Sequence, residues 1–308
     1  MIETNNLGKV FEDFTAVYDL NLSVPAGELL ALLGPNGAGK TTTVRMLSSI
    51  LRPTSGTAQV NNFDVITEAD QVRHSIGMLT EQPGLYLRMT GLEYLVFYGR
   101  LYGMNDSDTI AKGRNLFDRF AMKGDEERRL GEYSKGMKQK VGLIRAMLHN
   151  PAVLLLDEPT SAMDPHSAKL VRDSILELRD DKRTVILCTH NLAEAEMLSD
   201  KIAIIKKGTI VADGTSSQLK QKLLGQPRME ITVNRSVNGE VKEIEKLVKV
   251  ESVKEGTIRY RTENPSQINP ILIRCLDELG LGTITLQEIS QSLEDVYLSV
   301  VGEENGES

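Results

Sequence analysis

The sequence predicts an α/β fold, a mixed and mainly parallel sheet flanked by helices, followed by a small α+β domain. Strand-like apolar runs alternate with segments of helical period through about residue 213, the pattern of a mostly parallel sheet with crossover helices. Two of these runs, "AVLLLDEP" (152–159) and "TVILCTH" (184–190), are apolar without alternation, as strands covered on both faces are. Near "KQKLLGQPRM" (220–229) the composition changes and a series of shorter alternating segments begins.

In chain order, an N-terminal antiparallel β layer is expected first. The run "ELLALLG" (28–34) is a buried strand ending on glycine. "KTTTVRMLSSIL" (40–51) is a helix with Val44, Leu47 and Leu51 at helical spacing, stopped by Pro53 and Gly56. Residues 84–150 are rich in aromatics, including Tyr94, Phe97, Phe117 and Phe120, and read as a helical insertion. In "DPHSAKLVRDSILEL" (164–178), Asp164 caps a helix whose first residue is Pro165. "NLAEAEMLSD" is a short helix and "KIAIIKKGTIVADG" (201–214) a hairpin.

The first domain is expected to span 1–222, with a linker at 223–228. Over 229–301 the order of patterns is β-α-β-β-α-β, with a hairpin turning at Glu255-Gly256, which suggests a ferredoxin-like layer. A last helix has Ser292 and Asp295 at capping-box spacing, and 302–308 reads as a disordered tail.

The bulk properties narrow the classes of function. A chain of 308 residues accommodates two domains. Its formal net charge of −7 argues against a nucleic-acid-binding body, which carries a basic excess. The two cysteines, Cys188 and Cys275, stand far apart in apolar runs, as reduced structural thiols do. The N-terminal segment lacks the basic-then-apolar pattern of a secretory leader. No uncharged apolar run reaches the ~18 residues of a membrane span.

Chemistry enters with "GPNGAGKT" (34–41), which fits G-x-x-x-x-G-K-[ST] between a strand and a helix. Gly34, Gly37 and Gly39 let successive N–H groups turn inward around phosphate oxygens, Lys40 reaches the outer phosphates, and the Thr41 hydroxyl can ligate Mg²⁺. In "VLLLDEP", Asp157 ends a buried strand where it can hold Mg²⁺. Glu158 follows at the sheet mouth, where a carboxylate can orient an attacking water. His190 ends another buried strand at the same sheet edge.

This order of motifs resembles the ATP-binding cassette subunit of an ABC transporter over about residues 1–220, and implies a P-loop NTPase core. The ATP-binding residues it implies are Gly34, Pro35, Asn36, Gly37, Ala38, Gly39, Lys40, Thr41 and Thr42. In "KVFEDFTAVYDL", Phe11 falls where the family stacks an aromatic on adenine, with Val17 nearby. "SAMD" is similar to the family's S-A-L-D loop, with Ser161 and Asp164 in it. The resemblance assigns Glu158, His190 and Lys40 catalytic roles, and gives Mg²⁺ to Thr41, Asp157 and Glu81. Glu81 stands where the family has glutamine, with Gln82 adjacent as the alternative.

Residues 132–140, "EYSKGMKQK", would pass alone for a solvated charged helix start. In the family this position holds the L-S-G-G-Q signature; Ser134 and Gly136 match it, while Tyr133, Lys135 and Met137 depart from it. The resemblance implies that Ser134, Lys135, Gly136 and Met137 meet ATP bound to the other subunit of a homodimer, or of a heterodimer with a similar chain. It also implies a separate transmembrane permease subunit docking near 83–89, and a peripheral location on the cytoplasmic face of the membrane. The functional expectation is an ATP-hydrolysing motor for export, with ATP and Mg²⁺ as cofactors and no nucleic acid. An importer ATPase or a soluble non-transport ATPase is the alternative.

Overall fold

The computed structural model describes residues 1–161, 163–180, 182–237, 239–289 and 292–301. It divides into two compact units, Met1–Thr215 and the chain from Ser216 onward. The expected tail at 302–308 and Ala162 of the "SAMD" run lie outside the described residues.

The first unit opens with β1 (Ile2–Phe11) and β2 (Phe14–Val24), a hairpin closed by the pair Phe11–Phe14. After β3 (Leu29–Leu33) and α1 (Lys40–Leu47), β4 (Ser55–Val60) and β5 (Phe63–Asp64) join that hairpin in the antiparallel order β2-β1-β4-β5. Then come α2 (Ala69–Ser75), β6 (Ile76–Leu79), α3 (Gly91–Leu101), α4 (Asp106–Arg119) and α5 (Lys135–Met147). The unit continues through β7 (Val153–Asp157), α6 (Pro165–Asp180), β8 (Thr184–Thr189), α7 (Leu192–Leu198), β9 (Lys201–Lys206) and β10 (Thr209–Gly214). The central sheet runs β10-β9-β3-β8-β7-β6, with β9–β10 antiparallel and the other pairs parallel.

Every residue of β3, β7 and β8 is buried, because both sheet faces are covered. Leu154 and Leu156 join Val185 and Leu187 in an apolar cluster with α3 to α6. Val153 and Leu155 point the other way, joining Ile186 and Cys188 against α1 and the N-terminal β layer. Each such aliphatic side chain contributes roughly 1.5–3 kcal/mol by leaving water. This packing fixes the strand ends from which Asp157 and His190 project.

The helical insertion forms as expected. Thr90 and Glu93 make a capping box at the start of α3, and Ser134 caps α5 by accepting the Met137 N–H at 3.2 Å. Asp164 caps α6, accepting the N–H groups of His166 and Ser167 at 3.1 and 3.0 Å.

The second unit holds α8 (Ser216–Leu224), β11 (Arg228–Val233), α9 (Val241–Glu245), β12 (Lys249–Lys254) and β13 (Thr257–Arg261), then α10 (Pro265–Glu278), β14 (Thr283–Ile289) and α11 (Leu293–Val301). Its sheet is antiparallel in the order β12-β13-β11-β14. That is the order a ferredoxin-like β-α-β-β-α-β chain produces. The boundary expected at 222 requires correction. It falls in the last turn of α8, a helix that belongs with the second unit, where it packs against α11.

Candidate active site

A cavity of about 310 Å³ lies at the end of β3 and β7, walled by the glycine-rich loop, Lys40, Thr41, Glu81, Asp157 and Glu158. Pro35, Asn36, Gly37, Gly39 and Thr42 also line it, while Ala38 is buried in the core beneath. The loop depends on glycine at three positions, and at Gly34 a Cβ would stand 2.4 Å from the Ile205 carbonyl oxygen. Gly37 has φ 80° and Gly39 φ 108°, left-handed conformations that a side chain disfavours. At Gly39 a Cβ would also stand 2.7 Å from the Ala16 carbonyl oxygen.

Lys40 is buried, and its ammonium donates to the carbonyls of Gly34 at 2.5 Å and Pro35 at 3.1 Å. It lies 4.0 Å from Glu158 Oε1. Thr41 Oγ1 donates to Asp157 Oδ2 at 2.8 Å. Burial raises the pKa of Asp157 above the ordinary range. The Thr41 hydrogen bond and the Lys40 charge oppose the shift, and the nearby Glu81 carboxylate adds to it. The site therefore gathers three carboxylates, Glu81, Asp157 and Glu158, with the Thr41 hydroxyl around the single ammonium of Lys40.

Those are hard oxygen donors suited to Mg²⁺. Among the described residues no group of three or more His, Cys, Asp or Glu forms a metal cage.

Glu158 has φ 51°, an uncommon conformation for a residue with a side chain. Its N–H donates to the Cys188 carbonyl at 2.9 Å, extending the β7–β8 pairing by one step. Oε1 meets His190 Nδ1 at 2.8 Å. With Nδ1–H on this carboxylate, the ring's Nε2 donates a hydrogen bond only when the imidazole is protonated. Gln139 of α5 reaches the Glu158 carbonyl at 3.4 Å, a contact the sequence does not announce.

The structure thus brings together Lys40, Thr41, Glu81, Asp157, Glu158 and His190. Glu81 and Gln82 both border a smaller neighbouring space, but only Glu81 also lines the phosphate-loop cavity, beside Asp157. Gln82 instead lines a groove toward α3.

Phe11 and Val17, expected beside the base, lie on the same hairpin as the aromatic wall of the cavity. Phe14 and Ala16 line the cavity, while Phe11 and Val17 do not. Val17 is buried in the core, and the Phe11 ring carries the Lys9 ammonium 5.0 Å from its centroid. The two phenylalanines face each other across a tight hairpin turn, so spacing along the chain could not choose between them. The register Phe11–Phe14 is the signal that nominates both.

Ser134, Lys135, Gly136 and Met137 stand at the start of α5, outside this cavity. Lys135 borders a separate space of about 170 Å³ whose wall also includes Glu81 and Lys138. A Cβ at Gly136 would come no nearer than 3.8 Å to the rest of the chain, so no internal packing demands glycine there. Ser161 donates its N–H to the Glu158 carbonyl at 3.1 Å.

Comparison with known proteins agrees with this geometry. A family profile described as "ABC transporter" matches residues 17–161. The chain is similar to the daunorubicin/doxorubicin resistance ATP-binding protein DrrA of Streptomyces peucetius, 36% identical over 310 residues, covering 98% of this chain and 92% of that one. It is also similar to the ABC transporter ATP-binding protein NatA of Bacillus subtilis (strain 168), 36% identical over 244 residues, covering 78% and 99%. Among solved structures, an ATP-binding subunit of an ABC transporter superposes with a TM-score of 0.68 at 27% identity, over 73% of this chain and 94% of that one. A dimeric cassette in a post-hydrolysis state with ADP and Pi shares the fold, with a TM-score of 0.65 at 23% identity over 70% and 98%. Phosphate loop, strand-end carboxylates and relatives converge: the chain belongs to the ABC transporter family, as an ATP-binding and ATP-hydrolysing subunit.

Proposed function

We propose that this chain is the motor of an exporter, working as a dimer and driving a separate transmembrane partner. The observation that carries its chemistry is the Glu158 carboxylate, 2.8 Å from His190 and 4.0 Å from Lys40 at the mouth of the phosphate loop. ATP binds with its phosphates in the loop and its base against the aromatic side chain on the β1–β2 hairpin. Mg²⁺, when bound, neutralises phosphate charge. Thr41 and Asp157 would hold it, with Glu81 offering a further oxygen donor. Glu158 orients a water for in-line attack on the γ-phosphate, while Lys40 and His190 stabilise the charge that develops.

The start of α5, with Ser134, Lys135, Gly136 and Met137, contacts the ATP held by the other subunit, where its backbone N–H groups favour an anion. Lys135 adds a positive charge to that contact. Two-fold symmetry then gives two shared sites.

Among the described residues no helix is long and apolar enough to cross a membrane, and in this reading force passes to a separate transmembrane partner. A groove of about 650 Å³ beside Pro83, Gly84, Leu101 and Tyr102, with Tyr86, Leu87 and Phe97 exposed nearby, is matched to a short amphipathic helix of the membrane partner. Relatives named for drug resistance support the outward direction.

Glu158→Gln tests the reading. The variant is expected to bind ATP with Mg²⁺ as the parent does and to trap it, with turnover down by at least about 10²-fold. Steady-state hydrolysis at the parent rate would overturn the assignment. Recovery of the chain from membranes with a polytopic protein tests the partner.

A further inference from the structure

We propose that Glu194 is a positioning residue for hydrolysis. It sets the geometry of the Glu158–His190 pair without touching ATP. Glu194 lies in the first turn of α7 and is 3% exposed. Its Oε1 accepts the Thr160 hydroxyl at 2.6 Å, and its Oε2 accepts the Thr189 hydroxyl at 2.9 Å. Thr160 follows Glu158 by two residues, and Thr189 immediately precedes His190. A single buried carboxylate therefore ties the loop after β7 to the end of β8, the two segments that carry the reacting pair.

A second set of contacts fixes the tie itself. Asn191 donates its N–H to Thr189 Oγ1 at 3.0 Å, and its side chain accepts the Glu194 N–H at 3.1 Å. The carboxylate is acceptor-only, so both threonine hydroxyls must donate to it. Thr189 keeps its oxygen lone pairs for Asn191. Hydrogen bonds to a charged acceptor are stronger than neutral ones, and a buried, fully satisfied network holds its members in one arrangement.

Such a brace matters at this position. Glu158 has a left-handed backbone, and its side chain reaches His190 across two chain segments. A displacement of about 1 Å at a reacting group can cost on the order of 10²-fold in rate.

The inference rests on Glu158 being the group that orients water, and the two readings can be separated. If Glu158→Gln hydrolyses ATP at the parent rate, the earlier reading fails. If Glu158→Gln is inactive while Glu194→Ala is fully active, only this one fails.

The test compares Glu194→Ala, Glu194→Gln and Thr160→Val in the full chain. ATP affinity and single-turnover hydrolysis are measured separately, in parent and His190→Ala backgrounds. Glu194→Ala is expected to slow hydrolysis about 10–100-fold with ATP affinity changed less than twofold. Glu194→Gln restores most of the rate, because it fills the same space and can still bridge both hydroxyls. In the His190→Ala background the Glu194→Ala loss shrinks to less than threefold, since the residue acts through that pair.

Thr160→Val keeps the inference testable if Glu194→Ala does not fold, and is expected to slow hydrolysis several-fold at unchanged affinity. Equal losses in both backgrounds, affinity falling with rate, or parent-level hydrolysis in Thr160→Val and Glu194→Ala would each overturn the proposal.

Discussion

Asp157 shows at the scale of one residue how function opposes stability. Its carboxylate is almost wholly buried, and burial, with help from Glu81, raises its pKa. A raised carboxylate pKa means that the folded chain binds this proton more tightly than the unfolded chain. The group's contribution to stability therefore falls as pH rises from the ordinary Asp range through the folded-state value. At neutral pH the charge is a net cost that a bound cation relieves. Asp157→Asn is expected to raise the melting temperature of the ligand-free chain at pH 7.5 by about 2–4 °C, the shift that ~1 kcal/mol gives in a unit of this size. The gain shrinks at pH 5, and Mg²⁺ no longer tightens nucleotide binding. Thermal melts at the two pH values, with a nucleotide titration, check all three outcomes. Lys40, Thr41 and Asp157 were legible in the sequence because each sits at a fixed offset from a strand or helix end. Phe14 was not, because a hairpin pairs its two flanking aromatics directly, so neither spacing nor register chooses the one that borders the cavity.

Among the elements, α5 has the widest reach. Its Arg145 donates to the carbonyls of Met78 and Pro83 at 3.1 Å each and to the Tyr94 hydroxyl at 2.9 Å. The same guanidinium lies 5.2 Å from the Tyr98 ring centroid. One planar side chain thereby joins the helix bearing the signature to β6, to the loop after Glu81 and to α3. Burial pushes the Tyr94 pKa upward, so the hydroxyl stays neutral and available as acceptor. Lysine cannot reproduce this fork. Arg145→Lys is expected to lower stability by about 2–4 kcal/mol, the cost of losing charge-assisted hydrogen bonds and leaving buried carbonyls unpaired. Urea unfolding of the full chain measures it. The helical insertion was visible as a change to aromatic-rich composition over 84–150. The hub was not, since Arg145 looks like any basic residue on an amphipathic helix. The misplaced boundary has a similar cause. The compositional change near 220–229 marks the end of α8 rather than its start, and the break before Ser216 is only a short step from Gly214 to a new helix.

At the scale of the whole molecule, the second unit has its own apolar cluster, including Ile231, Ile258, Tyr260, Leu272 and Leu276. Its topology was readable because alternation and turn chemistry agree. Glu255 and Gly256 have φ 45° and 83°, as a two-residue hairpin requires. Its β-α-β-β-α-β order then leaves few arrangements open. Cores of this kind give each unit its own unfolding transition. The placement of sulfur makes that separation measurable without any engineered label. Cys188 is fully buried on β8 and its pKa is raised by burial, while Cys275 on α10 is only partly buried. Pulsed alkylation of the native chain is expected to modify Cys275 and spare Cys188. With rising denaturant, the Cys188 adduct should appear only as the first unit opens. Coincident labelling of both thiols at every denaturant concentration would contradict independent cores. Mass spectrometry of the two peptides would then time the opening of the ATP-hydrolysing half separately from that of the C-terminal half, including how far bound nucleotide delays the first.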